Sequence, residues 1–193
     1  IVLINGRQKG AIEDHFDHAF ELEDMLRRRG RASELANLSA LTQTGHLVSV
    51  RQKEPLGLGH AVLCARPVIG DRPFAVLLGD DLIRRNPDHP PVTKQLIDAF
   101  VTSGKAQVAL MRVPRSEIHR YGAAEGEPDP HNPSRFFIRS LVEKPPLGTE
   151  KTDQAVVGRY VFPPSIWSFL EKQNTGTGGE VQLTDAMERL RLA

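Results

Sequence analysis

The chain of 193 residues has one cysteine, one tryptophan and two tyrosines, and its basic and acidic side chains almost cancel. The lone Cys64 excludes an internal disulfide and a cysteine-rich metal site, which indicates a reducing, cytoplasmic setting. A net charge of +1 gives no electrostatic reason to expect nucleic acid or an anionic membrane as a partner. No apolar run approaches the ~18 residues that a membrane span needs. Any anionic substrate must therefore be bound by a local group of side chains.

The composition is that of a globular protein with a sizeable core, since 39% of the residues are hydrophobic and 25% are charged. The length suits one domain of the usual ~100–200 residues. No repeat, low-complexity tract or clear linker divides the sequence, so we expect a single domain over residues 1–193. Because the chain starts in a strand-like run without an initial Met, we also expect it to be the interior of a longer protein.

The order of apolar patterns predicts an α/β fold. In the first part of the chain, runs typical of buried strands alternate with patterns of helical period. Strands are predicted at 1–4, 46–51, 74–80 and 106–113, and helices at 12–26, 33–41, 61–65 and 92–100. This alternation favours a parallel sheet with right-handed helical crossovers.

The second part of the chain has a different pattern. Strands are predicted at 121–124, 136–142 and 155–162, with a loop at 128–133 and no long helices between them, which favours mixed or antiparallel additions to the sheet. Leu183, Ala186, Met187 and Leu190 repeat at helical spacing, so a helix is expected there, with Thr184 as its cap.

The predicted first helix carries two histidines. Ile12, Phe16 and Phe20 are spaced four residues apart and indicate one continuous helix, on which His15 and His18 would lie three residues apart. Two imidazoles at this spacing could share a metal ion, but no third ligand is near in sequence. A solvated helix face is therefore the preferred interpretation.

The strand at 74–80 ends abruptly in a glycine and two carboxylates, Asp80 and Asp81. In open α/β sheets, ligands bind beyond the carboxyl ends of the strands. Two acidic residues at such a place suit Mg²⁺, which prefers carboxylate oxygens together with substrate phosphates. The alternative for this stretch alone is a solvated turn or a helix cap.

A glycine-bearing loop follows the strand at 46–51. Gln52 stands at the strand end, and Gly57 and Gly59 come immediately before a helical pattern. In a strand, glycine loop and helix of this kind, backbone N–H groups can approach a ligand closely. The spacing matches neither the dinucleotide-binding fingerprint nor the P-loop, so this motif alone is a weak signal.

Glu143 and Lys144 follow the strand at 136–142 and precede two prolines. A carboxylate can accept sugar hydroxyl protons while a neighbouring ammonium contacts phosphate. Adjacent strand residues point to opposite faces, so both can reach one ligand only if the strand ends there, which Pro145 favours. The alternative is an ordinary surface ion pair.

Six short motifs occur together in one order. They are R-Q-x4-G-L-G-H-A-V-L-C-A at 51–65, L-L-G-D at 77–80, R-Y-G at 120–122, V-E-K-P at 142–145, A-V-V-G-R-Y-V at 155–161 and G-E-V-Q-L-T-D-A at 179–186. In their order and approximate spacing they resemble the bacterial UTP–glucose-1-phosphate uridylyltransferases, or UDP-glucose pyrophosphorylases, of the sugar nucleotidyltransferase family. The resemblance covers nearly the whole chain, including I-E-D-H-F-D at 12–17.

The resemblance implies a Rossmann-like nucleotidyltransferase fold with a mixed, mostly parallel sheet flanked by helices. It implies Mg²⁺-dependent transfer of a uridylyl group from UTP to glucose 1-phosphate, giving UDP-glucose and pyrophosphate. Homodimers or homotetramers are also typical of the family. Two alternatives remain: a non-catalytic paralogue that regulates the active enzyme, and a nucleotidyltransferase for another base or sugar.

The resemblance also assigns roles by position. Gln52 and Gly57 would contact the uracil and ribose of the nucleotide, and Asp80 would hold Mg²⁺. Lys144 would contact the phosphate of the sugar phosphate. Asp80 and Lys144 are therefore the expected catalytic residues.

The expected sugar pocket consists of Gly122, Glu143 and Val156. Gly122 would act through its backbone and Glu143 through the sugar hydroxyls. His60 receives no role. The motif residues Glu180, Gln182 and Asp185 are interpreted as a helix start.

Two parts of the family pattern lie outside this sequence. They are the N-terminal glycine-rich loop that holds the triphosphate and a second metal-binding Asp near the C-terminus. We therefore expect the domain to be incomplete at both ends, and a molecule of only these residues to be inactive. Gly79 also stands where the family usually has Pro.

Overall fold

A computed structural model describes residues 1–43, 45–149, 151–172 and 179–193, and its contacts divide the chain into two units, Ile1–Pro55 and Leu56–Ala193. In unit 1, strand β1 (Val2–Asn5) pairs in parallel with strand β2 (Val48–Arg51). Three helices connect them: α1 (Gly10–Asp14), α2 (Phe20–Arg28) and α3 (Ala32–Thr42). The parallel pair with helices between its strands is the arrangement predicted for this part of the chain.

The single helix predicted at 12–26 is wrong, because the chain leaves the helix between Asp14 and Phe20. In unit 1 the side chain of Phe20 is 73% exposed and that of Ile12 is 42% exposed. The apolar residues at this spacing therefore form no continuous buried face, and without one there is no tertiary packing to stabilise an unbroken helix. The histidines lie in or next to the break, and His18 contacts Glu23 at 2.9 Å between Nδ1 and Oε1.

Unit 2 contains a five-stranded sheet. Its strands are β3 (Phe74–Leu77), β4 (Gln107–Arg112), β5 (Gly122–Asp129), β6 (Asn132–Glu143) and β7 (Gln154–Phe162). Strand β7 pairs antiparallel with β3, β4 and β5, and β5 forms an antiparallel hairpin with β6. The β5–β6 pairing runs through Pro128, so the loop predicted at 128–133 is shorter than expected.

The α/β class, with mixed sheets and flanking helices, is confirmed. The prediction of a mostly parallel sheet holds only for the β1–β2 pair, because the strands of unit 2 pair antiparallel. Strands β3 and β4 are not neighbours, because β7 lies between them and runs the opposite way. Strand β3 has β7 as its partner and lies at the sheet edge within unit 2, and Leu77 is 56% exposed. It is therefore not the strand buried on both faces that its apolar run predicted.

In the described part of unit 2 the α-helices are α4 (Leu58–Cys64), α5 (Arg66–Ile69), α6 (Val92–Ser103), α7 (Ile166–Glu171) and α8 (Leu183–Leu192), and a 3-10 helix spans Arg115–Arg120. The core lies where α4, α7 and α8 pack on the sheet. Trp167 of α7 stacks on Phe74 of β3 with ring centroids 4.4 Å apart, and its indole N–H donates to the Gly70 carbonyl. Helix α7, which the sequence did not predict, thus supplies the centre of this core.

Among the helices that the structure describes, none is long and apolar enough to cross a membrane. The expectation of one domain over residues 1–193 stays a prediction.

Candidate functional site

Gly122, Glu143 and Val156 lie together in unit 2. Gly122 begins β5 and faces Glu143, the last residue of β6, across the antiparallel ladder. A Cβ atom on Gly122 would lie 3.2 Å from Glu143 Oε2 and 3.4 Å from Val156 Cβ on β7. The three predicted residues therefore lie together, with Gly122 at the start of β5, Glu143 at the end of β6 and Val156 within β7.

Thr184 is a fourth member, which the sequence pattern predicted to be a helix cap. That interpretation is wrong: α8 begins at Leu183 with Gln182 at the N-cap position, so Thr184 lies inside the first turn. Its side chain is buried, and its hydroxyl donates a hydrogen bond to Glu143 Oε2 at 2.6 Å. The helix start predicted around Gln182 and Asp185 is confirmed.

A second contact holds α8 against β6. The Leu141 N–H donates to Glu188 Oε2 at 3.0 Å. Glu188 is one helical turn beyond Thr184, and Leu141 is two residues before Glu143 on the same face of β6, so the two contacts lie side by side. Hydrogen bonding from Arg191, and to a lesser extent from Leu141, lowers the pKa of Glu188 below its usual value. The ionised carboxylate thus links α8 to β6 one helical turn from Thr184.

Glu143 is half-buried and keeps one oxygen in addition to the one that Thr184 occupies. No donor to Oε1 is found in the described ranges. Gly122 packs closely against this carboxylate and its partner, since a Cβ there would also lie 3.1 Å from Thr184 Oγ1, so a residue without a side chain is needed at this position. We call the group formed by Gly122, Glu143, Val156 and Thr184 the recess. Its oriented acceptor suits a ligand that donates hydroxyl protons.

Tyr160, on β7, adds a buried phenol for which the sequence predicted no role. Burial raises its pKa above the ordinary value, and the negative charges of Glu143 and Asp81 raise it further. The phenol is therefore neutral at physiological pH and lies within electrostatic reach of both carboxylates. The motif G-R-Y was the available signal, but nothing local distinguished this tyrosine from a core residue.

Asp80 lies in a turn after β3, three residues beyond its last residue, Leu77, and its side chain is exposed. Neither a hydrogen bond nor an ion pair to its carboxylate is found among the described residues. The neighbouring Asp81 is half-buried and accepts the Gly158 N–H at 2.6 Å through Oδ2. The two adjacent carboxylates therefore have different surroundings, and Asp80 is the one open to a ligand.

Lys144 follows Glu143 directly, and β6 ends between them, as the sequence predicted. Its φ angle of +42° places a non-glycine residue in the left-handed region, where side chains rarely occur. Its N–H donates to the Tyr121 carbonyl at 3.0 Å, and its side chain is exposed. The backbone turn at Lys144 removes the strict alternation that would hold Glu143 and Lys144 on opposite faces.

The glycine loop packs against another segment of unit 2. Gly57 has φ +98°, and a Cβ there would lie 2.8 Å from Glu180 Cβ. The Gly59 N–H donates to the Val181 carbonyl at 2.8 Å, and the Val181 N–H donates to the Leu56 carbonyl at 2.7 Å. The two motifs at 51–65 and 179–186 thus meet through their backbones, which requires small residues at 57 and 59. The nucleotide contact of Gly57 stays a prediction.

Gln52 belongs to unit 1, where its N–H donates to the Asn5 carbonyl at 2.9 Å and extends the ladder beyond β2. Its predicted nucleotide contact also stays a prediction. His60 lies on α4, and its Nε2 is 3.9 Å from Cys64 Sγ. Burial raises the pKa of the Cys64 thiol.

No group of three His, Cys, Asp or Glu side chains in the described part of the chain could hold a metal ion. A cavity of about 390 Å³ lies beside the start of α6, with Leu77 and Arg159 among its lining residues. None of the predicted site residues lines it. The recess at Glu143 is therefore identified by converging side chains rather than by cavity size.

Bacterial uridylyltransferases are similar in sequence to this chain. The chain is 44% identical over 190 residues to the UTP–glucose-1-phosphate uridylyltransferase of Bacillus subtilis strain 168, covering 98% of this chain and 63% of that protein. It is also 44% identical over 193 residues to UTP–glucose-1-phosphate uridylyltransferase 2 of Staphylococcus saprophyticus, of which it covers 65%. The chain thus spans less than two thirds of the length of these relatives.

Solved structures give the same fold. A UDP-glucose pyrophosphorylase crystallised with UDP-glucose aligns with a TM-score of 0.85 at 31% identity, covering 100% of this chain and 69% of that one. A UTP-bound enzyme from Acinetobacter baumannii aligns with a TM-score of 0.86 at 36% identity, covering 100% and 66%. The family model described as nucleotidyl transferase matches residues 15–191. The chain belongs to the nucleotidyl transferase family.

Proposed function

We propose that the protein transfers a uridylyl group from UTP to glucose 1-phosphate, producing UDP-glucose and pyrophosphate. The proposal rests on one structural observation, the convergence of Gly122, Glu143, Val156 and Thr184 around an oriented carboxylate. Relatives at 44% identity that carry the name of this activity support it.

The recess would bind the glucose ring. Glu143 would accept protons from sugar hydroxyls through Oε1, while Thr184 holds Oε2. Gly122 has no side chain to cover its backbone groups and would offer them to the ring, and Val156, which is 9% exposed, would give the ring an apolar wall. These roles use groups that face the same small space.

The reaction would be an in-line substitution at the α-phosphorus of UTP. A phosphate oxygen of glucose 1-phosphate forms the new P–O bond, and the bond to pyrophosphate breaks, with no covalent enzyme intermediate. Positioning and charge neutralisation supply the rate in reactions of this kind. Lys144 would neutralise the phosphate of the sugar phosphate, since it directly follows the sugar-binding Glu143.

Asp80 would hold Mg²⁺. The donor set fits this ion, because Asp80 offers an exposed carboxylate without a partner among the described residues, and magnesium combines one or two carboxylates with substrate phosphates. When bound, the ion supplies charge neutralisation at the phosphates. The role of Asp80 is to present its oxygens, and the exposed position of the turn leaves them accessible.

Gln52 and Gly57 would contact the uracil and ribose. Position in the shared motif supports both assignments, and the positive φ angle of Gly57 supports a close approach of its backbone. We further propose that residues 1–193 belong to one nucleotidyltransferase domain in a cytoplasmic homodimer or homotetramer.

An assay of pyrophosphate release tests this function. Full-length protein is incubated with UTP, glucose 1-phosphate and Mg²⁺, and in parallel with dTTP in place of UTP. Release that depends on both substrates and on UTP supports the proposal. No pyrophosphate with UTP, or equal turnover with dTTP, would overturn it.

Asp80→Asn tests the metal assignment in the same protein. The variant should lose turnover and Mg²⁺ binding, while its free energy of unfolding changes by less than about 0.5 kcal/mol because the side chain is exposed. Activity equal to that of the unsubstituted protein would remove Asp80 from the site.

A further inference from the structure

The turn that carries Asp80 is fastened to β7 at several points. The Leu78 N–H donates to the Gly158 carbonyl at 2.9 Å, and the Gly158 N–H donates to Asp81 Oδ2 at 2.6 Å. The Arg159 guanidinium donates to the Leu78 carbonyl at 3.0 Å and to the Asp81 carbonyl at 2.6 Å. Both ends of the turn, at Leu78 and Asp81, are thus bonded to the same two residues of β7.

These contacts hold the chain against β7 beyond the end of the β3–β7 ladder. Strand β3 stops at Leu77, and residues 78–81 are not part of a strand. The Asp81 carboxylate accepts an N–H of β7 that an antiparallel strand would otherwise have bonded. The guanidinium satisfies two carbonyls of the turn with its fixed fork of donors. We call this set of contacts, formed by Leu78, Asp81, Gly158 and Arg159, the turn latch.

Gly158 makes the close approach possible. A Cβ at this position would lie 2.3 Å from Asp81 Oδ2 and 2.7 Å from Leu78 Cβ, distances that real Cβ atoms do not show. Any other residue at 158 would therefore push the turn away from β7. The glycine of the G-R-Y motif is explained by this contact without reference to a ligand.

Asp80 stands inside the latched segment but takes no part in the latch. Its carboxylate is exposed, whereas that of Asp81 is half-buried against Gly158. We propose that Asp81 and Arg159 are positioning residues that hold the turn so that Asp80 presents its oxygens to a divalent cation. This inference rests on the proposed function, since it assumes that Asp80 is a metal ligand.

The physical reason is preorganisation. A turn that was free in solution would lose conformational entropy when Asp80 bound a cation, and that loss would weaken binding. Four backbone-anchored hydrogen bonds, two of them from or to a charged side chain at 2.6 Å, fix the turn beforehand. Ligand groups held by such supporting contacts bind with better defined geometry.

The latch also lies near the recess. The charge of Asp81 and the charge of Glu143 both raise the pKa of Tyr160. The phenol therefore lies within electrostatic reach of the carboxylate of the latch and of the carboxylate of the recess. Fixing the turn on β7 fixes it relative to the strand that also carries Val156.

Asp81→Ala and Asp81→Asn in the full-length protein test the proposal. We expect Asp81→Ala to speed amide hydrogen exchange at 78–81 at least tenfold and to weaken Mg²⁺ binding in the presence of UTP about tenfold by calorimetry. The KM for glucose 1-phosphate should change less than twofold. Asn keeps an oxygen that can accept the Gly158 N–H, so it should restore most of both properties. Glu127→Gln, at an exposed ion pair with Arg139, is the matched control and should behave like the unsubstituted protein.

Arg159→Lys provides an independent variant if Asp81→Ala folds poorly, because it keeps the charge but loses the fork that bonds two carbonyls. It should also speed exchange at 78–81. Exchange at these amides that matches the unsubstituted protein in both variants would overturn the latch. An Asn variant that binds Mg²⁺ as weakly as the Ala variant would make Asp81 itself a ligand and overturn its positioning role.

Failure of the proposed function gives a different result. If the unsubstituted protein released no pyrophosphate, the proposed activity would be overturned. The exchange measurement would still decide whether the turn latch fixes the turn. If Mg²⁺ binding were intact in Asp81→Ala despite faster exchange, the latch would exist without positioning the metal ligand, and the inference would be overturned.

Discussion

Thr184 donates its hydroxyl proton to Glu143 Oε2 across 2.6 Å, between residues that are 41 positions apart in the sequence. Thr184 belongs to α8 and Glu143 to the end of β6, and the parallel contact between Glu188 and Leu141 holds these two elements together. The hydroxyl fixes one carboxylate oxygen and thereby directs the other. Glu143 is thus an oriented acceptor rather than a mobile surface charge.

Thr184→Val removes the hydroxyl while conserving shape. The loss of a hydrogen bond to a carboxylate should lower the free energy of unfolding by about 1.5 kcal/mol and raise the KM for glucose 1-phosphate roughly 3- to 10-fold, with little change in the KM for UTP. Denaturant unfolding and steady-state kinetics measure the two effects.

Thr152→Val is the control, because the Thr152 hydroxyl is also buried but donates to the Ala124 carbonyl at 2.9 Å. This variant should lose similar stability without a change in the KM for glucose 1-phosphate. Equal KM changes in both variants would mean that Thr184 acts only through stability.

Gly122→Ala tests whether a side chain is tolerated at position 122, beside Glu143 and Thr184. The added methyl would lie 3.1 Å from Thr184 Oγ1 and 3.2 Å from Glu143 Oε2, so both groups must move by a few tenths of an ångström. We expect the protein to fold and the KM for glucose 1-phosphate to rise at least about tenfold, a change of about 1.4 kcal/mol in binding free energy. The KM for UTP serves as the internal reference.

Gly10→Ala is the matched control, since a Cβ at Gly10 would meet no atom within 4 Å. It should leave the kinetics unchanged. Normal kinetics in Gly122→Ala would show that no sugar occupies the space beside Glu143.

Tyr160 provides a test that needs no substrate. Because burial and two carboxylates raise its pKa, its phenolate should form only well above pH 10, the ordinary value being about 10. The unfolded chain releases this proton first, so the Tyr160 contribution to stability is present below about pH 10 and is lost as the pH rises further. Difference absorbance against Tyr160→Phe isolates the signal.

Glu143→Gln should shift the Tyr160 titration toward lower pH, because it removes one of the two negative charges. Glu127→Gln should leave it unchanged. If Glu143→Gln left the Tyr160 titration unchanged, the Glu143 carboxylate would be too far from the phenol to affect its pKa, which would contradict the structure.

The sequence predicted the three residues of the recess but not their partner. Gly122, Glu143 and Val156 came from motifs that resemble a known family, and the strand end at Glu143 could be predicted from Pro145. Thr184 was assigned to a cap because local patterns cannot show that a helix start faces a strand end 41 residues earlier. The same limit explains why Tyr160 had no assigned role.

Strand pairing was the other property that local patterns could not give. The run at 74–80 has the composition of a central strand, yet its partner is β7, far along the chain and antiparallel to it. The helical period through Phe16 likewise gave no information on burial, and the helix breaks there because Ile12 and Phe20 remain exposed. Both errors concern contacts between distant residues or with solvent, which residue spacing does not encode.

The central claim is that Glu143 binds the sugar, and Glu143→Gln tests it most directly. The measurement is kcat/KM for glucose 1-phosphate in the full-length protein at saturating UTP, with Glu127→Gln as the control. A carboxylate that accepts sugar hydroxyls should lose roughly 10- to 100-fold in kcat/KM when it becomes an amide, while the KM for UTP stays within about twofold. A kcat/KM for glucose 1-phosphate equal to that of the control would contradict the account.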